Sequence, residues 1–113
     1  DMELDTFAAD IKRVGAQGLK IAAMSNSDSD CDRLYKFAKK YGKKFQLFAA
    51  FGMGETGRVS RLWSLSEGAN LTYGSIGHSE APGQIEVSIM RRALEQAENL
   101  HSQMEILAFL NQF

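Results

Sequence analysis

Two hydrophobic periods alternate along this chain, and the alternation restricts its fold more than any other feature. Leu4, Phe7, Ala8, Ile11 and Val14 recur at helical spacing and stop at Gly15 and Gly18, which predicts an amphipathic helix over 3–15. Residues 19–24 form a short apolar run with one lysine inside it, Lys20, and read as a buried strand. A turn rich in helix-capping residues follows over 25–30. Cys31, Leu34, Phe37, Ala38 and Tyr41 then mark a second helix, closed by Gly42 and the basic pair Lys43 and Lys44. Residues 45–51 read as a second strand, 52–57 as a glycine loop, and Val59, Leu62 and Trp63 as a short third helix ending at Gly68. A third strand is expected over 71–76, a loop with the only proline over 77–84, a fourth helix from Ile85 to Leu100, and a short terminal one around Met104, Ile106, Leu107 and Leu110. Strand–helix units in this order imply an α/β fold with a parallel sheet and right-handed crossovers. Three parallel strands are few for a sheet that needs both faces covered, so the chain reads as the end of a larger α/β fold.

Composition narrows the function classes. The 113 residues carry 13 Lys+Arg and 14 Asp+Glu, a net charge of −1, and 44% are hydrophobic, values that exclude a disordered tail. Near-neutral charge argues against nucleic acid or an anionic membrane surface as the main partner. No apolar stretch approaches the ~20 residues of a membrane span. The first residues are acidic where a signal peptide would be basic and then apolar, and the chain does not open with Met, which reads as a cut or processed end. The single Cys31 cannot form an internal disulfide, which suits a reducing cytoplasm. One domain over 1–113 with one core is expected. Its core should hold Leu19, Ile21, Phe45, Leu47, Phe51, Val59, Leu62, Trp63 and Leu71, with Leu4, Phe7 and Ile11 packed on the sheet.

Four features could carry chemistry. In a strand, Lys20 shares a face with Ala22 and Met24. An ammonium is costly to bury unpaired among apolar neighbours, and a lysine relieved of its proton suits Schiff-base chemistry. The plainer reading is an edge lysine whose head reaches solvent. Second, Gly52, Gly54 and Gly57 fit a G-x-G-x-x-G pattern between strand and helix, with Glu80 lying 23 residues beyond, where a ribose-binding acid could sit. Third, Arg58 and Arg61 share a helical face just past a strand's C-terminal end, where an arginine fork suits a carboxylate or phosphate. Fourth, Pro82 and Gly83 stiffen a loop from which Gln84 could offer an amide to a ligand. One cysteine and two scattered histidines, His78 and His101, give no metal-ligand spacing and no assignable catalytic triad.

Four segments taken together closely resemble the C-terminal half of type I 3-dehydroquinate dehydratase: the lysine strand, the run 53–62 (MGETGRVSRL), the run 71–74 (LTYG) and the run 81–84 (APGQ). The last three fit in order and spacing without gaps, and the resemblance extends over about residues 1–100. It implies a (β/α)8 barrel, of which this chain would supply the sixth to eighth βα units and the helix before them. It also implies a lyase of the shikimate pathway, in aromatic amino acid biosynthesis. Such enzymes dehydrate 3-dehydroquinate to 3-dehydroshikimate through a lysine imine, with no metal or cofactor. By the resemblance Lys20 matches the Schiff-base lysine, Arg61 the arginine that holds the substrate carboxylate, and Gln84 a substrate-binding glutamine of the last loop. Met53 and Tyr73 match positions lining the site.

Two departures bear on these expectations. Glu80 stands where the family usually has a substrate-contacting serine, and a carboxylate there would repel the substrate's own. The family's general acid/base histidine lies on the strand before the lysine strand, and no residue here matches it. His78 is not assigned to replace it. The chain alone is therefore expected to be inactive or nearly so. Its expected partners are 3-dehydroquinate and either a missing N-terminal half or a second copy, with no nucleic acid and no membrane. Two alternatives stay open, an NAD-binding βαβ domain and a non-catalytic half-barrel that assembles with itself or with a missing half.

Overall fold

The computed structural model describes residues 1–66, 68–77, 81–96 and 103–113. Helix α1 spans Met2–Arg13, strand β1 Gly18–Met24, helix α2 Asp28–Tyr41 and strand β2 Leu47–Met53. Three shorter helices follow: α3 (Ser60–Ser66), α4 (Val87–Glu95) and α5 (Gln103–Leu110). The side chain of Asp1 accepts the Glu3 and Leu4 N–H groups and caps α1. The Ser27 hydroxyl accepts the Asp30 N–H and caps α2. Both helices carry acids in the first turn and lysine or arginine in the last, as the helix dipole favours.

β1 and β2 pair in parallel, Lys20 opposite Ala49 and Ala22 opposite Phe51. Helix α2 makes the crossover between them, which gives the α/β class expected from the alternating periods. The expected third strand over 71–76 is not a ladder. Its N-terminal end lies against β2, where the Asn70 and Leu71 N–H groups donate to the Phe48 carbonyl, and its far end forms a single parallel bridge between Ser75 and Glu86. The asparagine side chain explains the difference. Asn70 Oδ1 takes the Phe48 N–H and Asn70 Nδ2 donates to the Gln46 carbonyl, so a side chain occupies positions that a strand backbone would fill.

The strand pleat sorts the core. Leu19, Phe48 and Ala50 point to the helices and join Leu34, Phe37, Leu62 and Trp63 in the main cluster, with Ile21 packed against it. Phe48, absent from the sequence-based core, is its most enclosed large side chain at 0% exposure. Leu47 and Leu71, expected in the core, are exposed. Leu47 shares its face of β2 with Phe51, and that face is opposite the helices. Phe7 is 37% exposed, so α1 docks through Leu4, Ala8 and Ile11 instead. The terminal helix α5 buries Ile106, Phe109 and Leu110 in the same cluster. Among the described residues, no helix is long and apolar enough to cross a membrane.

Candidate active site

The C-terminal ends of both strands lead into loops that pack on one another. Met24 ends β1, and the Ser25 N–H donates to the carbonyl of Met53 at the end of β2. The glycine loop then folds back on its own strand. A Cβ on Gly57 would lie 2.4 Å from the Gly52 carbonyl carbon, so only glycine allows this approach. Ser60, fully buried, fastens the turn: its hydroxyl donates to the Gly57 carbonyl and accepts the Gly52 N–H at 2.7 Å. The Cys31 thiol reaches in from α2 to the Thr56 carbonyl at 3.4 Å, and burial pushes this thiol up from its ordinary pKa. Gly83, at φ +87°, lies so close to the same loop that a Cβ there would be 2.1 Å from the Gly54 carbonyl oxygen. Backbone contact thus joins the loop before Gln84 to the glycine loop.

This geometry leaves little for a dinucleotide. The N–H groups of Gly57, Arg58, Ser60 and Arg61 are all bonded to carbonyls of the turn itself. The amides that would cradle a pyrophosphate are already satisfied. Glu80, the acid that reading required, lies outside the described residues, as do both histidines.

Below the loops, three of the six candidate side chains gather around one ring. Lys20 is exposed on the face of β1 that looks away from the helices. Its Nζ lies 4.4 Å from the centroid of the Tyr73 ring and 6.0 Å from that of Phe51. Arg61 comes from α3, with its Cζ 4.4 Å from the Phe51 centroid. The Tyr73 and Phe51 rings are tilted against each other at 5.9 Å. Arg61 is only 6% exposed, and desolvation lowers its pKa from the ordinary guanidinium value. Its Nε–H has no hydrogen-bond partner, and no carboxylate among the described residues pairs with either cation. A buried guanidinium with an open N–H suits an incoming carboxylate.

The remaining candidates sit at the rim. Met53 lies on the same sheet face as Lys20, one ladder step beyond Phe51 on that face. Gln84 is half-buried and its Oε1 accepts the Ala81 N–H at 3.3 Å within its own turn. Arg58 is less buried than Arg61 and lies outside the group around Phe51. Sequence reasoning placed Phe51 in the core and passed over Thr72, whose hydroxyl donates to the Arg61 carbonyl at 2.7 Å. Strand parity combined with the parallel register would have put Phe51 on the lysine's face. A hydroxyl that holds another residue's carbonyl leaves no periodic signal.

Comparison with known proteins identifies the family and the fold. The family model described as type I 3-dehydroquinase matches residues 1–101. A 3-dehydroquinate dehydratase of Methanococcus maripaludis is 36% identical over 80 residues, covering 70% of this chain and 35% of that protein. A catabolic 3-dehydroquinate dehydratase of Acinetobacter baylyi is 33% identical over 84 residues, 74% of this chain and 31% of that protein. This chain therefore spans about a third of the length of the curated relatives it matches. Among solved structures, the 3-dehydroquinate dehydratase of Geobacillus kaustophilus superposes with a TM-score of 0.74 at 26% identity, over 88% of this chain and 40% of that one. The type I enzyme of Clostridium difficile, solved with covalently modified comenic acid, gives 0.77 at 25% identity, over 87% and 39%.

Proposed function

This chain belongs to the type I 3-dehydroquinase family, and on that premise we propose that it carries the imine-forming part of a site that dehydrates 3-dehydroquinate to 3-dehydroshikimate, a cytoplasmic step of the shikimate pathway. The observation that carries the reading is the convergence of Lys20 and Arg61 on the Phe51 ring, on the sheet face away from the helices.

In this reading the Arg61 guanidinium binds the substrate carboxylate and turns the ketone toward Lys20. The Lys20 amine, after giving up its proton, adds to the carbonyl carbon, and water leaves as the imine forms. The protonated imine is an electron sink, so the neighbouring carbon gives up a proton to a general base and the substrate's hydroxyl then leaves as water. A second water hydrolyses the imine, releases the enone product and restores the amine. Met53 and Tyr73 line the ring's approach, and Gln84 holds the substrate from the loop above. Glu80 would stand near the substrate carboxylate. The resemblance assigns the proton step to a histidine that none of residues 1–113 matches, so these residues by themselves provide the lysine and arginine without the base.

Borohydride reduction in the presence of 3-dehydroquinate tests the lysine. Mass spectrometry should find one adduct, on Lys20. Lys20→Ala should abolish it, whereas Lys36→Ala and Lys39→Ala, both on α2, should not. An adduct spread over the surface lysines would overturn the assignment.

A further inference from the structure

We propose that Phe51, with Tyr73 beside it, is a positioning residue that holds the Lys20 amine and the Arg61 guanidinium at a set separation. This proposal deepens the imine reading above and rests on it. Two cations that face one space repel each other, and each would ordinarily be held by a carboxylate. Neither has one among the described residues. What each has is the face or edge of a ring. Arg61 Cζ lies 4.4 Å from the Phe51 centroid, and Lys20 Nζ lies 4.4 Å from that of Tyr73 and 6.0 Å from that of Phe51. All three distances fall within the range of cation–π attraction.

The choice of rings has a chemical consequence. A carboxylate that fixed Arg61 would also neutralise it and compete with the carboxylate of an incoming ligand. A ring quadrupole attracts the cation and leaves its N–H groups and its charge free for that ligand. Phe51 suits the task because it is 4% exposed yet stands outside the main helix-side cluster. Its ring is buried on the sheet face away from that cluster. Tyr73, at 46% exposure, completes the shelf from a segment outside the sheet ladder. Thr72, its neighbour, holds the Arg61 carbonyl, so the second ring and the arginine backbone are tied to the same segment.

The test combines side-chain NMR of the free protein with borohydride trapping. In the wild type the Lys20 Hε protons and the Arg61 side-chain protons should be displaced upfield by ring currents. Tyr73→Leu should release the Lys20 protons and Phe51→Leu those of Arg61, with a smaller change at Lys20, while Phe51→Tyr, which keeps a ring, should restore them. In trapping titrations with 3-dehydroquinate, Phe51→Leu should raise the half-saturating concentration and lower the limiting rate of adduct formation, each about twofold to fivefold for contacts of this kind. Phe51→Tyr should recover both. Because Tyr73 is half-exposed, its leucine variant keeps the test decisive even where Phe51→Leu fails to fold. Unchanged Lys20 signals in Tyr73→Leu would overturn the shelf. Loss of trapping in Phe51→Tyr equal to that in Phe51→Leu would also overturn it, since apolar filling would then be the only role. Ring-shifted signals that respond as expected in a protein giving no Lys20 adduct would support the shelf and refute the imine reading.

Discussion

Ser60 shows how single side chains shape the loop end of this sheet. Its hydroxyl is enclosed, and both of its bonds go to backbone of the glycine turn. Ser60→Ala would leave the Gly52 N–H buried without an acceptor, which costs about 1–3 kcal/mol. Urea unfolding should show that loss. Gly83→Ala is the second test at this scale. Its methyl would overlap the Gly54 carbonyl oxygen at a φ that alanine rarely adopts, a strain of about 1–3 kcal/mol. The Gly54 amide signal should move in the variant even though the two residues are far apart in sequence. Such contacts were partly legible in the sequence. The glycine spacing marked a tight loop, and the Pro82-Gly83 pair marked a stiff one. That the two loops touch depends on tertiary placement, which no local pattern encodes.

The elements themselves follow their hydrophobic periods closely. Predicted and observed bounds of α1, β1 and α2 differ by a few residues, because cap and glycine signals flank all three. The failures come from β2 and its neighbour. The apolar run 45–51 carries no alternation, so its two faces could not be told apart: Leu47, expected in the core, is exposed, and Phe51, buried as expected, lies on the face opposite the helices. Residues 71–76 have strand-like composition, but Asn70 takes over the pairing positions. Two outcomes follow for the core. Phe48→Ala should cost about 3–5 kcal/mol in denaturant unfolding, and Phe7→Ala well under about 1 kcal/mol because its ring is partly in water. The link between α1 and α2 should respond to pH. Hydrogen bonds from Tyr41 and then Lys40 lower the pKa of Asp5, so the contact is present above the usual carboxylate range and is lost as pH falls through the lower, folded value, below about pH 4. Bonding to Asp5 raises Lys40 and Tyr41, so the contact weakens again above about pH 10. Amide exchange in α1 should quicken at both extremes, and Asp5→Asn should remove the acid limb.

At the scale of the whole molecule, the candidate site divides into what these residues hold and what they lack. On the proposed reading, an imine formed on Lys20 without a general base would stop at its first half. With general acid–base help worth about 10²–10⁴ in rate, residues 1–113 alone should form product far more slowly than an ordinary ~10 s⁻¹ enzyme. Ultraviolet absorbance of the enone checks this, and turnover within tenfold of that rate would overturn it. The roles of Lys20, Arg61 and Gln84 are expected only from the resemblance to a family; the structure brings Lys20 and Arg61 to the Phe51 ring and leaves Gln84 within its own turn. Phe51 is not legible in this way, because a phenylalanine in an apolar run looks like core from sequence alone.

The parallel ladder has a consequence for how fast the molecule assembles. Lys20 lies opposite Ala49, so the first native pair of strand residues must close a loop of roughly thirty residues with α2 inside it. That entropy is lost before any sheet contact forms, and it sets the barrier. Helix α5 adds Ile106, Phe109 and Leu110 to a surface that exists only after β1, α2 and β2 have come together. Ile106→Val should therefore leave the refolding limb of a chevron almost unmoved and shift its cost, about 0.5–1.5 kcal/mol, into faster unfolding. Ala50→Gly, in the middle of β2, should slow refolding itself. The crossover should therefore set the rate of folding, and the C-terminal helix how long the folded state lasts.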